Sequence, residues 1–279
     1  MQERRRQERR RNIDRSRAAS GGYTRGPSPH DAASGYSLGP PPRADTDADT
    51  APYGRLPERA LTNLPVASIY IHFPWCLAKC PYCDFVSYAT ERDDIDHAGY
   101  ADAIIREAEA RARYLETDGS DARRIGSVFF GGGTPSLWDP RELGRVLERL
   151  RGLFAIDGDA EITVECNPTS LDGDRARALV DAGANRLSIG TQSLRQEQLR
   201  YLGRLHDPAG AQAAVAAAIE AGVPRVSTEL IFGLPNQTPE DARDQAETLA
   251  SAGLRHLSCY QLTIEPGTQF GERKKRGLL

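Results

Sequence analysis

IHFPWCLAKCPYCDFVSY, residues 71–88, places Cys76, Cys80 and Cys83 close together in a chain that has five cysteines. Pro74 and Pro81 break regular structure around them, so thiols at spacings of four and three can converge on one centre. In a reducing cytosol, such a cluster indicates metal or redox ligands, because a disulfide framework favours even numbers and wider spacing. The stretch therefore predicts a metal-binding loop.

The number of ligands bears on which metal this loop binds. A structural zinc site needs a fourth ligand, commonly from a second pair of cysteines or histidines. No second CxxC follows, and the nearest spare ligand, His72, lies within a predicted strand. An iron–sulfur cluster with three protein ligands leaves one iron open for a chelating cofactor. The spacing favours the cluster, and a structural zinc module is the alternative.

The composition is that of a globular protein with one large domain. The chain has 279 residues, 39% of them hydrophobic, and a net charge of -3. No apolar run approaches the ~20 residues that span a bilayer, and no apolar segment follows the arginine-rich N-terminus. We therefore expect no membrane span, no secretory signal and a cytoplasmic location. Residues 1–60 are rich in Arg, Pro and Gly with few large aliphatics, which predicts a disordered, solvated tail; no nucleic-acid partner is expected.

From residue 61 onward, β-rich runs alternate with helical patterns. The predicted strands are residues 67–72, 127–130, 160–166, 186–190, 225–232 and 256–262. Asp139-Pro140, Asp207-Pro208 and Thr238-Pro239 each supply an N-cap followed by a first-turn proline, which predicts three helix starts. Six strands with helical crossovers predict a parallel α/β sheet, either curled into a partial TIM-like barrel or open and doubly wound.

The unusual residues fall after the predicted strands. In both candidate folds the active site gathers at the carboxyl ends of the strands. The cysteine loop follows the first strand, GGGTP the second, and ECNP closes the third; GTQ ends the fourth. Cys166 and Cys259, isolated on strands, are interpreted as small core residues. His206 and His256 are interpreted as structural.

Taken together, these segments resemble a known family. CxxxCxxC with an aromatic residue, Tyr82, before the last cysteine and a glycine-rich loop after the second strand resembles the radical S-adenosylmethionine (SAM) proteins. YIHFPWC, FFGGGTPSL, TVECNP, NRLSIGTQSL, LGRLHD, ELIFGLPNQT and YQLTIEPGTQFGERK resemble the branch that holds oxygen-independent coproporphyrinogen III oxidase and HemW-type heme chaperones. The resemblance covers about residues 65–279 and implies a partial TIM-like (β/α)6 radical SAM barrel.

The resemblance also implies a cofactor set. Cys76, Cys80 and Cys83 would bind a 4Fe-4S cluster whose open iron is chelated by the amino and carboxylate groups of SAM. One-electron reduction would cleave the sulfonium and release a deoxyadenosyl radical. The positions implied to contact SAM are Tyr70, Tyr82, Gly132, Gly133, Thr134, Glu165, Gln192, Arg204, Glu229 and Thr263.

Several of these positions have an implied partner on SAM. Gly132, Gly133 and Thr134 would meet the methionyl amino group, because glycines let backbone atoms approach. Glu165 and Gln192 would bind the ribose or the ammonium of SAM. Arg204 would bind its carboxylate through a bidentate fork, and Thr263 would contact its adenine through the backbone. Glu229 stands where the family has aspartate, which shifts the reach of its charge.

Phe85 distinguishes between members of the branch. The oxidases extend the motif to CxxxCxxCxC, and Phe85 occupies the position of that further cysteine. This indicates a heme chaperone, with heme or porphyrin as cargo and a heme-acceptor protein as partner; the decarboxylating oxidase is the alternative. Family members continue into a helical C-terminal domain with proposed heme contacts. We therefore expect residues 61–279 to be a radical SAM core without that accessory, heme-binding part.

Overall fold

The computed structural model describes residues 67–118 and 124–279. The predicted tail, residues 1–60, and the start of the predicted core domain lie outside the described residues. The described strands of the main sheet are β1 (Ala67–Phe73), β4 (Arg124–Gly132), β5 (Ala155–Cys166), β6 (Arg186–Gln192), β7 (Arg225–Phe232) and β8 (His256–Gln261). Two short strands, β2 (Trp75–Cys76) and β3 (Tyr88–Ala89), pair with each other in a second sheet.

The strand order decides between the two predicted architectures. The main sheet is parallel throughout and runs β1-β4-β5-β6-β7-β8, so each strand lies beside the one that precedes it in the chain. A doubly wound sheet reverses its strand order at a switch point, and this sheet has no such reversal. The predicted partial TIM-like (β/α)6 arrangement is therefore confirmed, and among the described residues β1 and β8 are each paired on one side only.

Helices connect the strands and begin where the sequence predicts. Three of them start at the predicted prolines, and their caps Asp139, Asp207 and Thr238 accept hydrogen bonds from backbone N–H groups of the first turn. The described helices are α1 (His97–Asp118), α2 (Pro140–Leu153), α3 (Gly173–Asp181), α4 (Gln196–Tyr201), α5 (Pro208–Glu220), α6 (Pro239–Ser251) and α7 (Gln269–Lys275). None of these is long and apolar enough to cross a membrane.

An aromatic cluster anchors the start of the cysteine loop. Phe73, at the end of β1, is fully buried and stacks on Trp138 with ring centroids 5.4 Å apart. Trp75 packs edge-on against Phe73 at 5.1 Å and against Tyr100 at 4.7 Å. Burial of each such side chain contributes roughly 1.5–3 kcal/mol, so the residues on either side of Pro74 are held firmly. The packing fixes where Cys76 leaves the sheet.

One core prediction is wrong. Cys166 is buried in the main core, as predicted, but Cys259 is exposed. Cys259 lies on β8, which within the described part of the chain is an edge strand paired with β7 alone. An edge strand has less packing around it than an inner strand, and strand character alone therefore does not bury a thiol there.

Candidate metal and cofactor site

A cavity of about 440 Å³ lies at the carboxyl ends of the parallel strands. This volume is within the range of about 300–1,000 Å³ usual for small-molecule sites. Every predicted site residue except Tyr70 lines it: Cys76, Cys80, Tyr82, Cys83, Gly132, Gly133, Thr134, Glu165, Gln192, Arg204, Glu229 and Thr263. The fold therefore brings together residues that are up to 187 positions apart, from Cys76 to Thr263.

Tyr70 does not line the cavity. Its side chain is 57% exposed on β1, its hydroxyl forms a 3.0 Å hydrogen bond with Nδ1 of His72, and its ring stacks on Phe129. The contact between Tyr70 and a cofactor stays a prediction.

The cysteine loop folds back on itself through its own polar groups. The Tyr88 N–H donates to Pro74 O at 2.8 Å, and the Cys83 N–H donates to Cys80 O at 3.1 Å in a tight turn. Lys79 Nζ donates to Phe85 O at 2.8 Å and also to Ser87 O at 3.2 Å. These hydrogen bonds connect the two halves of the loop and hold it in the shape in which the three thiols face the cavity.

The thiols have donors beside them. Thr134 Oγ1 donates to Cys76 Sγ at 3.4 Å, and Arg204 Nη1 donates to Cys80 Sγ at 3.5 Å. Burial raises the pKa of Cys76 and of Cys83, so both thiols of the ligand-free loop hold their protons at neutral pH. Among the described residues, no group of three or more His, Cys, Asp or Glu is arranged to hold a single metal ion. A cluster differs in this respect, because its cysteines bind separate irons.

The glycine-rich segment after β4 has no room for side chains. A Cβ on Gly133 would lie 2.6 Å from Trp75 O, and Gly132, at φ 108°, would place its Cβ 2.6 Å from the His72 ring. The Gly133 N–H donates to Phe73 O and the Thr134 N–H to Trp75 O. These N–H groups are therefore already used, and an incoming ammonium group, itself a donor, would have to meet carbonyl oxygens here.

Arg204 brings a cation into the cavity. Its Nη2 donates to Gly190 O at 2.9 Å, while its Nε is buried and has no hydrogen-bond partner. A buried guanidinium N–H without a partner is costly, since it has lost water and gained nothing in return. The Arg204 charge, by contrast, lies at the cavity wall and would attract an anionic group there.

Two carboxyl side chains, those of Glu165 and Glu229, also line the cavity. Glu165 Oε2 accepts from the Gly132 N–H at 3.1 Å, and Glu229 accepts from Ser188 Oγ at 2.9 Å and Gln192 Nε2 at 3.1 Å. Burial raises the pKa of Glu165 to about 7, and the charge of Glu229 adds to the effect. The whole lining carries Lys79 and Arg204 against four acidic residues, Asp84, Glu165, Glu229 and Glu265, which suits a zwitterionic or net cationic small molecule.

Comparison with known proteins decides the family. The model of the radical SAM superfamily matches residues 70–257. This range includes residues 70–73 of β1, the cysteine loop and the whole of β4, β5, β6 and β7. The chain belongs to the radical SAM superfamily.

Named relatives of this radical SAM protein are similar over the same region. Heme chaperone HemW of Haemophilus influenzae is 38% identical, and that of Escherichia coli 39% identical, over 213 residues. Those residues are 76% of this chain and 55% of either chaperone. Coproporphyrinogen III oxidase of Escherichia coli, a radical SAM enzyme, superposes with a TM-score of 0.63 at 29% identity and covers 74% of this chain and 46% of its own. The chain thus spans about half the length of the curated relatives it matches.

The cavity of this radical SAM protein also contains residues that sequence reasoning missed. Lys79, Asn167, Tyr260, Glu265 and the buried thiol of Cys166 all line it. Asn167 could have been identified, because it directly follows Cys166 at the end of β5. Tyr260 and Glu265 lie within the segment YQLTIEPGTQFGERK that carries the family resemblance, and the position of β8 brings them to the cavity.

The raised pKa of Glu165 predicts a pH dependence of stability. The folded state holds this proton up to about pH 7, whereas the unfolded chain releases it near the ordinary value of 4.5. Through Glu165 the folded state therefore binds more protons between these values, and this contribution to stability falls as the pH rises through them; His206, whose pKa burial lowers to about 4, makes the opposite contribution up to about pH 6.5. We expect the Glu165 contribution to lower the free energy of unfolding by on the order of 3 kcal/mol between pH 4 and pH 8, as measured by denaturant unfolding.

The matched pair of variants separates this effect from the other carboxyls. Glu165→Gln should remove the fall that Glu165 causes and leave the rise in stability that His206 produces between about pH 4 and pH 6.5. Glu161→Gln, four residues earlier on β5, where Glu161 pairs with Arg186 and Arg225, should keep the wild-type profile. An unchanged slope in the Glu165 variant would contradict the assignment.

Proposed function

We propose that the chain binds a 4Fe-4S cluster through Cys76, Cys80 and Cys83 and SAM in the adjoining part of the cavity. The observation that carries the proposal is that the three thiols share one cavity with the Arg204 guanidinium. Thiolates are the usual ligands of iron–sulfur clusters. When bound and reduced, such a cluster supplies the electron that cleaves a sulfonium bond.

The protein's own residues bind and orient SAM in this proposal. Arg204, which lines the cavity, donates to its carboxylate. Glu165 and Gln192 receive the ammonium or ribose, and the carbonyls of the Gly132–Gly133 segment accept from the ammonium. Thr134, which donates to Cys76, stabilises the thiolate form of that ligand.

We also propose that the protein serves heme trafficking rather than porphyrin decarboxylation. Phe85 supports this, because it lines the cavity mouth with 64% of its surface exposed at the position where the oxidases carry a further cysteine. Two of the curated relatives at 38–39% identity are heme chaperones. Heme as cargo, a heme-acceptor protein and a cytoplasmic location are part of this proposal. The free state of all five cysteines agrees with a reducing compartment.

Two assays on one anaerobically reconstituted sample test the heme role. Incubation with coproporphyrinogen III, SAM and a strong reductant should yield no protoporphyrinogen IX while the cluster stays intact. Titration with hemin tests whether the core binds heme without the accessory part, and a saturable shift of the Soret band near one heme per chain would show that it does. Formation of protoporphyrinogen IX would favour the oxidase, and the absence of any Soret shift would contradict heme binding by this chain.

A further inference from the structure

The pairing of β6 with β7 is interrupted beside the cavity. Between the pairs formed by Ile189 and Gln192, β6 has two residues, Gly190 and Thr191, whereas β7 has one, Glu229. This is a β-bulge, a feature that re-aims side chains and is frequent next to functional sites. Gly190, Gln192 and Glu229 all line the cavity.

The bulge leaves Gln192 in an unfavourable backbone conformation. Its φ is 63°, in the left-handed region, and within the described residues Asn236 is the other non-glycine residue there. For glutamine this conformation is strained and persists only if the surrounding structure imposes it. It places the amide of Gln192 against Glu229, at 3.1 Å, and toward the cavity.

Two side chains from the segment after α4 hold the carbonyl groups of the bulge. Arg204 donates to Gly190 O at 2.9 Å, and His206 Nε2 lies 3.0 Å from Thr191 O. A carbonyl oxygen can only accept, so Nε2 of His206 carries the proton. Thr191 O also accepts from the backbone N–H of Ser193 at 2.7 Å, so it has one backbone donor and one side-chain donor, His206.

His206 makes this bond in a setting that otherwise disfavours a histidine. The ring is 7% exposed and its Nδ1 is buried without a hydrogen-bond partner. Burial lowers its pKa to about 4, and the charge of Arg204 acts in the same direction, so the ring is neutral at pH 7. Its single N–H group is therefore committed to Thr191 O, while Nδ1 remains unsatisfied.

We propose that His206 is a positioning residue: its Nε2–H bond to Thr191 O holds the β6 bulge that presents Gln192 to SAM. The inference rests on the proposed function, in which SAM occupies the cavity. His206 itself lies behind the bulge and does not line the cavity, so its influence on SAM passes through Gln192.

The SAM dissociation constant of the reconstituted chain tests this role. His206→Leu removes the donor and should raise the constant about tenfold, the usual effect of losing one hydrogen bond that aligns a ligand contact, with iron and sulfide content unchanged. His206→Gln can donate from its own amide and should restore most of the affinity. His256→Leu, an exposed histidine at the start of β8, is the matched control and should bind SAM as the wild type does.

A double-mutant cycle shows whether His206 acts through Gln192. In a Gln192→Ala background, His206→Leu should change the affinity less than about twofold, since coupled residues are not additive. Full additivity would overturn the inference. If His206→Leu does not fold, Thr228→Val tests the same bulge, because Thr228 Oγ1 contacts Thr191 Oγ1 at 2.9 Å; an unchanged SAM affinity in that variant would also overturn it.

The two proposals fail in different ways. Wild-type protein that holds the cluster but binds no SAM would overturn the proposed function, and this inference with it. Equal SAM affinity of wild type and His206→Leu would overturn the inference alone.

Discussion

Replacing Cys80 with alanine is expected to abolish the cluster. A site with three protein ligands retains two after this change, and the Arg204 guanidinium loses the sulfur that it contacts at 3.5 Å. The expected result after anaerobic reconstitution is loss of nearly all iron and acid-labile sulfide relative to wild type. Both are measured by colorimetric analysis of the desalted protein.

The two cysteines outside the loop, Cys166 and Cys259, are matched controls of different stringency. Cys259→Ala changes an exposed thiol on β8 and should leave iron and sulfide unchanged. Cys166→Ala is the sharper control, because Cys166 lines the same cavity but donates its thiol to Val164 O within β5. Loss of the cluster in either control would refute the ligand assignment. Stoichiometric zinc without labile sulfide in the wild type would favour a structural zinc module.

Replacing Arg204 with methionine is expected to raise the SAM dissociation constant about 100-fold. The change removes a charged group that would bond the SAM carboxylate, and charge-assisted bonds contribute about 1.5–3 kcal/mol each. It also leaves Gly190 O without the donor that it has at 2.9 Å. Arg204→Lys keeps the charge but not the planar fork, so an intermediate loss of about tenfold is expected.

Equilibrium dialysis of SAM with reconstituted protein measures these affinities at matched cluster content. Arg145→Met is the control, because Arg145 pairs with Asp102 and Glu142 on the surface, where ion pairs contribute little. Its SAM affinity should equal that of wild type. Wild-type affinity in Arg204→Met would show that the carboxylate is bound elsewhere.

The sequence predicts the fold through features that are local in the chain. N-caps followed by proline determine where α2, α5 and α6 begin, and the strands between them read clearly as apolar runs. The parallel arrangement then places strand ends at one edge, which is why Glu165 and Gln192 were identifiable as site residues. The choice of a sequential strand order needed the structure, because both candidate architectures have the same alternation of elements.

Features that depend on distant parts of the chain were not predictable. The β6 bulge arises from how β6 meets β7, and nothing in the letters GTQ indicates a positive φ at Gln192. Cys259 is exposed because β8 is an edge strand, which is a property of the assembled sheet. His206 looked like an ordinary structural histidine until its single bond to the bulge was located.

Electron paramagnetic resonance of the reduced, reconstituted wild-type chain, recorded with and without SAM, tests the central claim most directly. If Cys76, Cys80 and Cys83 hold a 4Fe-4S cluster with one iron open to SAM, the reduced protein should give a cluster signal that shifts when SAM is added. A cluster signal that is identical in both samples would contradict the claim that SAM binds at that iron.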